Sequence, residues 1–221
     1  MKIDKIIRAK RKTISMHVTD SGTLIVRAPF GVNEETINNV ITKHKNWIEK
    51  KKKEILSRYP KPIKKSFVND EDFPYLGKYY KLSIVDDQKD PLIFNNGFFL
   101  SKEHSKSAKD IFTAWYKEKA HEVISERVEW HAKNNRFTYS KVRITNAKKR
   151  WGSCSPLGNL NFSWRLVMAP LPVIDYVVVH ELVHLEEKNH AKTFWSKVKI
   201  LMPDYEKHKK WLKRNGYLLR L

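Results

Sequence analysis

The chain has 221 residues, enough for one large domain or two small ones with a buried core. Hydrophobic residues make up 41% of it and aromatic residues 12%, a composition that argues against a disordered protein. Its formal net charge of +20 should attract nucleic acid or other anionic partners at low salt. The single cysteine, Cys154, excludes an internal disulfide and a zinc site built on several cysteines.

The sequence carries no sign of export or of a membrane span. Residues 1–12 are charged at every third or fourth position, whereas a signal peptide has an apolar central region. No run approaches the roughly 18 apolar residues that a membrane span needs. Together with the lone cysteine, this predicts a cytoplasmic protein with no membrane partner.

The positive charge has two interpretations. No recognisable DNA- or RNA-binding motif accompanies it, so a Lys-rich solvated surface is the simpler one. Non-specific nucleic-acid binding through the basic surface stays open as the alternative. The sequence does not indicate an oligomeric state.

The first hundred residues are predicted to be β-rich with one helix. Alternating apolar and polar residues, typical of strands, occur at 12–20, 23–29, 78–87 and 91–101. Gly22 and the Asn96-Gly97 pair are suited to the turns of two hairpins. The helix is predicted to begin after a cap at Asn33 and to continue to about Tyr59, where a proline-containing connector follows.

The remaining residues have a more helical pattern. Helices are predicted at 108–134, 173–185, 191–202 and from Asp204, as the cap, to Gly216. Pro172 is suited to the first turn of the second of these helices, which is apolar nearly all round and therefore buried. Strands are predicted at 141–146 and 160–169. We therefore predict an α+β protein with a β-rich region at 1–103 and a second domain at 104–221.

The most informative stretch is "HELVH" at residues 180–184. Residues four apart lie on one face of a helix, so His180 and His184 can present two imidazoles to one ion. Glu181 lies at an adjacent angle, where its carboxylate can reach a metal-bound water. These are the mechanics of the H-E-x-x-H pattern of zinc hydrolases. His190 can be a third ligand if the helix ends soon after Leu185 and the chain turns back.

The alternative to a metal site is a pair of hydrogen-bonded histidines in the core. Three polar residues on an otherwise apolar helix need partners, because unpaired buried polar groups are costly. That requirement favours the metal. His121-Glu122 is not a second motif, because Ser125 stands where the second histidine would be.

Several other residues are weaker candidates for roles near the metal. Glu206 is an alternative third ligand, although an acid in the first turn of a capped helix needs no further explanation. Cys154 is interpreted mainly as a reduced structural thiol. The remaining candidates are Tyr205 for oxyanion stabilisation, Met202 as an apolar floor, and Asp175 or Asn189 as partners of the ligand imidazoles.

Motifs along nearly the whole chain resemble one protein family. They are "KTISMHV" and "TLIVRAP" near the start, "YLGKYYKL" at 75–82, the run from "RWGSC" to "HELVHL" at 150–185, "NHAKTFW" at 189–195 and "LMPDYEKHKKWL" at 201–212. The chain resembles the YgjP-like family of predicted zinc-dependent metallopeptidases, a zincin-type group related to SprT-like and WLM metalloproteases. The match is most specific from Arg150 to Trp195.

This resemblance implies a zincin-like catalytic domain with a small antiparallel sheet and an active-site helix. It implies zinc as the cofactor, with His180, His184 and His190 as ligands and Glu181 as the catalytic base. Glu187 stands where metzincins have glycine, so the turn before His190 must be built differently.

The implied function is a zinc metallopeptidase in which a metal-bound water activated by Glu181 attacks a bond of a peptide or protein substrate. The strand near 160–167 is expected to pair with the extended substrate. Two alternatives stay open. One is a nucleic-acid-associated protein, such as a protease acting on DNA-bound proteins, and the other is a non-catalytic zinc-binding module.

Overall fold

The computed structural model describes residues 3–19, 21–57 and 64–221. The chain divides into two compact units, Met1–Lys61 and Pro62–Leu221. The boundary predicted between residues 103 and 104 falls inside the second unit, where the Phe73 and Phe98 rings lie 4.4 and 5.0 Å from the ring of Phe112. Among the described residues, no helix is both long and apolar enough to cross a membrane.

The first unit is a three-stranded sheet with two helices. Its strands are β1 (Lys5–Arg8), β2 (Ser15–Val18) and β3 (Leu24–Ala28), in the order β1-β3-β2. The predicted hairpin is confirmed, because β2 and β3 pair antiparallel around Gly22, which has a φ of +80°. β1, which the alternation pattern did not reveal, pairs parallel with β3.

The single helix predicted after Asn33 is two helices, α1 (Glu34–Lys43) and α2 (Lys45–Leu56). The cap is confirmed, since the Asn33 side chain accepts a hydrogen bond from the Thr36 N–H at 2.9 Å. The break at His44 was missed because the apolar stripe continues across it, and Ile41 and Ile48 are both buried. The predicted end near Tyr59 and the connector to residue 63 lie outside the described residues.

A four-stranded sheet opens the second unit. Its strands are β4 (Asp72–Tyr75), β5 (Lys78–Val85), β6 (Leu92–Phe94) and β7 (Phe98–Ser101), in the order β4-β5-β7-β6. β6 and β7 form the hairpin predicted at Asn96-Gly97, where the Asn95 N–H donates to the Gly97 carbonyl.

The remaining elements surround the candidate motif. They are α3 (Ala108–Asn135), β8 (Lys141–Thr145), β9 (Gly152–Cys154), β10 (Asn159–Ser163), α4 (Leu171–Val183), α5 (Lys192–Leu201) and α6 (Tyr205–Asn215). The α+β class is confirmed, but the small sheet is mixed rather than antiparallel. β10 lies in its centre, antiparallel to β9 and parallel to β8. Residues Trp164–Met168 form a 3-10 turn instead of extending the strand.

Both ends of α6 differ from the prediction. The Asp204 side chain does not cap α6, and its Oδ2 instead lies 3.0 Å from His208 Nε2. Gly216 ends that helix with a φ of −57°, so no left-handed glycine is needed there.

Helix α4 is the centre of the second unit. Pro172 lies in its first turn as predicted, and most of its side chains are buried. Asp175 fixes it to α3, because its carboxylate accepts hydrogen bonds from Arg127 Nε at 2.6 Å and Nη2 at 3.1 Å. His131 Nε2 lies 3.2 Å from the same carboxylate. Burial alone would raise the pKa of Asp175, but the His131 and Arg127 side chains outweigh it and lower that pKa.

We expect Asp175→Asn to lower the free energy of unfolding by about 2 kcal/mol at neutral pH, because it leaves the Arg127 charge without its partly buried partner. A carboxyl with a lowered folded-state pKa stabilises the protein above its ordinary pKa of about 3.9, and this stabilisation disappears as pH falls through the folded-state value. The variant should therefore also lose part of its acid sensitivity. Urea unfolding at several pH values measures both effects.

Asp86→Asn is the matched control. Asp86 pairs with Lys102 at 3.1 Å, but both side chains are exposed, so its loss should change stability by less than about 0.5 kcal/mol. Equal losses in the two variants would show that Asp175 does not fix α4 to α3.

Candidate metal centre

The candidate residues lie at the end of α4 and in the turn that follows it. His180 is in the last turn of the helix, and His184 is its C-cap residue. The Leu185, Glu186 and Glu187 N–H groups donate back to carbonyls of the last helical turn, so the chain reverses at once. This meets the condition for His190 to approach the helical pair, without the glycine that metzincins use.

The three imidazoles converge at their Nε2 atoms. His190 Nε2 lies 2.9 Å from His180 Nε2 and 3.1 Å from His184 Nε2. Their candidate ligand atoms all lie within 4.8 Å of one another. Among the described residues, no other group of His, Cys, Asp and Glu side chains has this spacing.

The hydrogen bonding of the rings fits a cation. His184 Nδ1 lies 2.9 Å from the Glu187 carbonyl and must donate its proton there, which leaves a lone pair on Nε2. Two nitrogens bound to one tetrahedral zinc ion, each at about 2.0–2.1 Å, lie roughly 3.4 Å apart. The observed separations are close to this value, so the residues present fit zinc.

The electrostatics favour the neutral form of two of the imidazoles, those of His180 and His190, and the neutral form is the one that binds metals. Burial, followed by the charges of His184, His190 and Lys209, lowers the pKa of His180 to about 3. Burial, His184 and Lys209 also lower the pKa of His190. His180 Nδ1 is buried without a hydrogen-bond partner among the described residues.

Aromatic side chains hold the three rings in place. The Phe194 ring centroid lies 4.5–4.8 Å from those of all three histidines. Trp195 stacks on His190 at 5.6 Å, and Tyr205 stacks on Trp195 at 5.5 Å. Tyr205 therefore packs in this stack. The stack fixes His190, although this residue lies in a turn.

Glu181 is buried beside this cluster, with 5% of its surface exposed. The backbone N–H of Cys154 donates to its carboxylate, while Oε2 has no hydrogen-bond partner among the described residues. Burial raises the pKa of Glu181 to about 8, against the lowering effects of Arg150 and the Cys154 N–H. A carboxyl group with a raised pKa can take up and release a proton near neutral pH.

Strand β9 contributes a part of the site that was not predicted from the sequence. A Cβ atom on Gly152 would lie 2.5 Å from Glu181 Oε1, so only glycine lets the strand approach the carboxylate this closely. Glycine inside a strand is a signal of such an approach, and it was available in "WGSC". The strand is three residues long, however, and has no periodicity to reveal it.

The order of strands in this sheet contradicts the expectation that the stretch near 160–167 pairs with the substrate. β10 has a neighbour on each side, so the stretch near 160–167 cannot pair with a peptide. β9 lies at the edge, and Trp151 and Ser155 bond to the β10 side through their carbonyl and N–H groups. The alternating groups of Gly152 and Cys154 therefore point outward.

A cleft of about 280 Å³ opens beside His180 and Glu181. Its other lining residues are Trp151, Gly152, Tyr176, Val177, Lys209 and Leu212. Burial, Tyr205 and Glu181 raise the pKa of Tyr176 to about 12, so its phenol stays protonated at neutral pH. The cleft is mostly apolar, and it has the size of one amino-acid side chain rather than of a large ligand.

The weaker candidates lie away from the histidine cluster or have other partners. Asp175 binds Arg127, the Asn189 side chain accepts the Ala191 N–H at 3.0 Å, and Glu206 is exposed with Lys210 Nζ at 3.8 Å. Met202 is partly buried and packs on the main core. Burial raises the pKa of the Cys154 thiol, which keeps it protonated, and the residue acts on the site through its backbone.

Comparison with known families adds an independent finding. A family model described as "YgjP-like, metallopeptidase domain" matches residues 12–215. Among curated proteins, none matches the chain.

We expect Gly152→Ala to lower the free energy of unfolding by about 1–3 kcal/mol, because the new methyl group overlaps the buried Glu181 carboxylate. Gly97→Ala is the matched control in the same unit, where the added Cβ would make only ordinary contacts of 3.5 Å or more. Its unfolding in urea should match the wild type within about 0.5 kcal/mol. A tolerated methyl group at residue 152 would show that β9 does not press against Glu181.

Proposed function

Because the chain belongs to the YgjP-like family of metallopeptidase domains, we propose that it is a zinc-dependent peptidase with its active site at the end of α4. The observation that carries this proposal is the convergence of three imidazoles beside a buried carboxylate with a raised pKa. A purely structural zinc site needs neither that carboxylate nor a cleft beside it, and it normally has four protein ligands.

In this proposal His180, His184 and His190 hold the zinc ion. Bound zinc supplies a Lewis acid and lowers the pKa of a coordinated water molecule to about 7. Three neutral ligands leave the full charge on the ion, which strengthens both effects. The Glu187 carbonyl and the Trp195 ring keep His184 and His190 in the binding orientation.

Glu181 is proposed to be the general base. Its carboxylate takes the proton of the attacking water and passes it to the leaving amine. The Cys154 N–H fixes the carboxylate while Oε2 remains available for the proton. β9 therefore positions the base.

The substrate is proposed to be an extended peptide along the outer edge of β9. The outward N–H and carbonyl of Gly152 and the outward carbonyl of Cys154 can bond to it as a further strand does, while the Cys154 N–H stays with Glu181. The cleft between Trp151 and Leu212 then receives one side chain of the peptide. Strand addition gives affinity with little sequence selectivity, so the cleft determines which peptides are preferred.

Purified protein is expected to contain about one zinc ion per chain, and His180→Ala, His184→Ala and His190→Ala should each lose most of it. Elemental analysis after dialysis against a weak chelator measures the content. Glu206→Ala is the control, since Glu206 is exposed and its carboxylate lies 3.8 Å from Lys210 Nζ. Loss of zinc from the Glu206 variant and retention in the His190 variant would assign the third ligand to Glu206.

Glu181→Gln is expected to keep its zinc and its fold but to lose 10²- to 10⁴-fold in the rate of peptide hydrolysis. Glutamine matches the size and hydrogen-bonding reach of glutamate, but it cannot accept a proton at neutral pH. Cleavage of a denatured protein, followed by mass spectrometry, measures the rate, and zinc analysis of the same sample measures occupancy.

Glu122→Gln is the matched control for that experiment. Glu122 follows His121 in the chain as Glu181 follows His180, but it lies on α3 and pairs with Lys119 at 2.8 Å. Its rate should equal that of the wild type. Loss of zinc from Glu181→Gln would show that Glu181 is a ligand of the ion. Full activity in that variant would show that Glu181 has no catalytic role.

A further inference from the structure

Lys209 is a cation in the candidate site that the proposed reaction does not use. It lies on α6, and its side chain lines the cleft beside His180 and Glu181. Lys209 is exposed, so a ligand that enters the cleft can reach its ammonium group.

The ammonium group is held in place by an aromatic ring of the same site. Lys209 Nζ lies 3.7 Å from the centroid of the Trp195 ring, a distance typical of a cation–π contact. Trp195 in turn stacks on His190. The positive charge is therefore fixed next to the histidine cluster instead of sampling solvent freely.

Lys209 differs from Lys197 and Lys210, two other lysines near the site, in having no acidic partner. Lys197 pairs with Glu186 and Glu187 at 3.0 Å, and Lys210 lies 3.8 Å from Glu206. Across residues 3–19, 21–57 and 64–221, no carboxylate oxygen lies within 4.0 Å of Lys209 Nζ. An ammonium group at an apolar cleft without a counter-charge is ready to bind an anion.

The chemistry of the cleft defines the anion. The walls of the cleft are largely apolar, and its volume of about 280 Å³ suits one side chain. Its acidic residue, Glu181, is buried and accepts a hydrogen bond from the Cys154 N–H. We propose that Lys209 binds a carboxylate of the peptide substrate and so makes the enzyme prefer peptides with an acidic group close to the residue in the cleft. This inference rests on the proposed peptidase function.

The carboxylate can come from an acidic side chain or from the free C-terminus of the peptide. Two pairs of peptides separate these sources. One pair differs only by Glu or Gln next to the cleaved bond, with both termini blocked. The other pair has a free or an amidated C-terminus one residue beyond that bond.

For the wild type, kcat/KM is expected to be roughly 10-fold higher for the carboxylate member of one pair, mainly through a lower KM. Lys209→Met should remove this preference, so that both members of the pair are cleaved with similar kcat/KM. Lys209→Arg should keep part of it, and Lys209→Glu should shift it towards a Lys-containing peptide. Lys210→Met is the matched control, because Lys210 is the next residue on the same helix and does not line the cleft; it should retain the wild-type preference.

Three outcomes would overturn the inference. The wild type could cleave both members of each pair equally, or Lys209→Met could keep the preference. Lys209→Met could also lower kcat for all peptides alike, which would assign Lys209 to the transition state instead of to substrate recognition.

A binding measurement separates this inference from the peptidase proposal, because it needs no turnover. Calorimetric titration with N-acetylphenylalanine should give tighter binding than titration with its amide, and Lys209→Met should abolish the difference while Lys210→Met keeps it. A difference that survives in Lys209→Met would place the carboxylate on the metal, and equal binding of acid and amide would refute the role of Lys209. If no peptide is cleaved but this pattern is found, the peptidase proposal fails and the carboxylate site remains.

Discussion

The structure of the second unit depends on the cost of burying polar groups on one apolar helix. His180 and Glu181 lie on α4 among valines and leucines, where a polar atom without a partner is expensive. Each nearby element supplies part of the compensation. The Cys154 N–H reaches Glu181, and the Glu187 carbonyl accepts the proton of His184. His180 Nδ1 and Glu181 Oε2 have no hydrogen-bond partner within the part of the chain that the structure describes, and both lie where the proposed chemistry occurs.

The same helix must also be rigid, because ligands four residues apart converge on an ion only if their helix keeps its geometry. The Asp175–Arg127 ion pair fixes α4 to α3, and α6 supplies the Tyr205 ring of the stack that holds His190. His190 has no helical register to place it. Its position comes from a tight turn and a stacked tryptophan, which is how a loop residue can be as well ordered as its helical partners.

Much of the site follows from the sequence, for reasons of periodicity. Four-residue spacing places His180 and His184 together on any helix, and the early end of α4 brings His190 back to them. The first hairpin and the long helix α3 were also predictable from local pattern. Pairing between strands was not, because it depends on partners distant in the chain. For that reason β9 was missed, β10 was wrongly expected to be free for a peptide, and the sheet was expected to be antiparallel.

X-ray absorption spectroscopy of the zinc-loaded protein tests the central claim most directly, because it reports the atoms around the ion without requiring a substrate. If His180, His184 and His190 bind the ion, the spectrum should show nitrogen or oxygen scatterers at about 2.0–2.1 Å and the multiple-scattering pattern of histidine. It should show no sulfur scatterer. A sulfur scatterer at about 2.3 Å would place Cys154 on the ion. That result, or a spectrum with fewer than three histidines, would contradict the account.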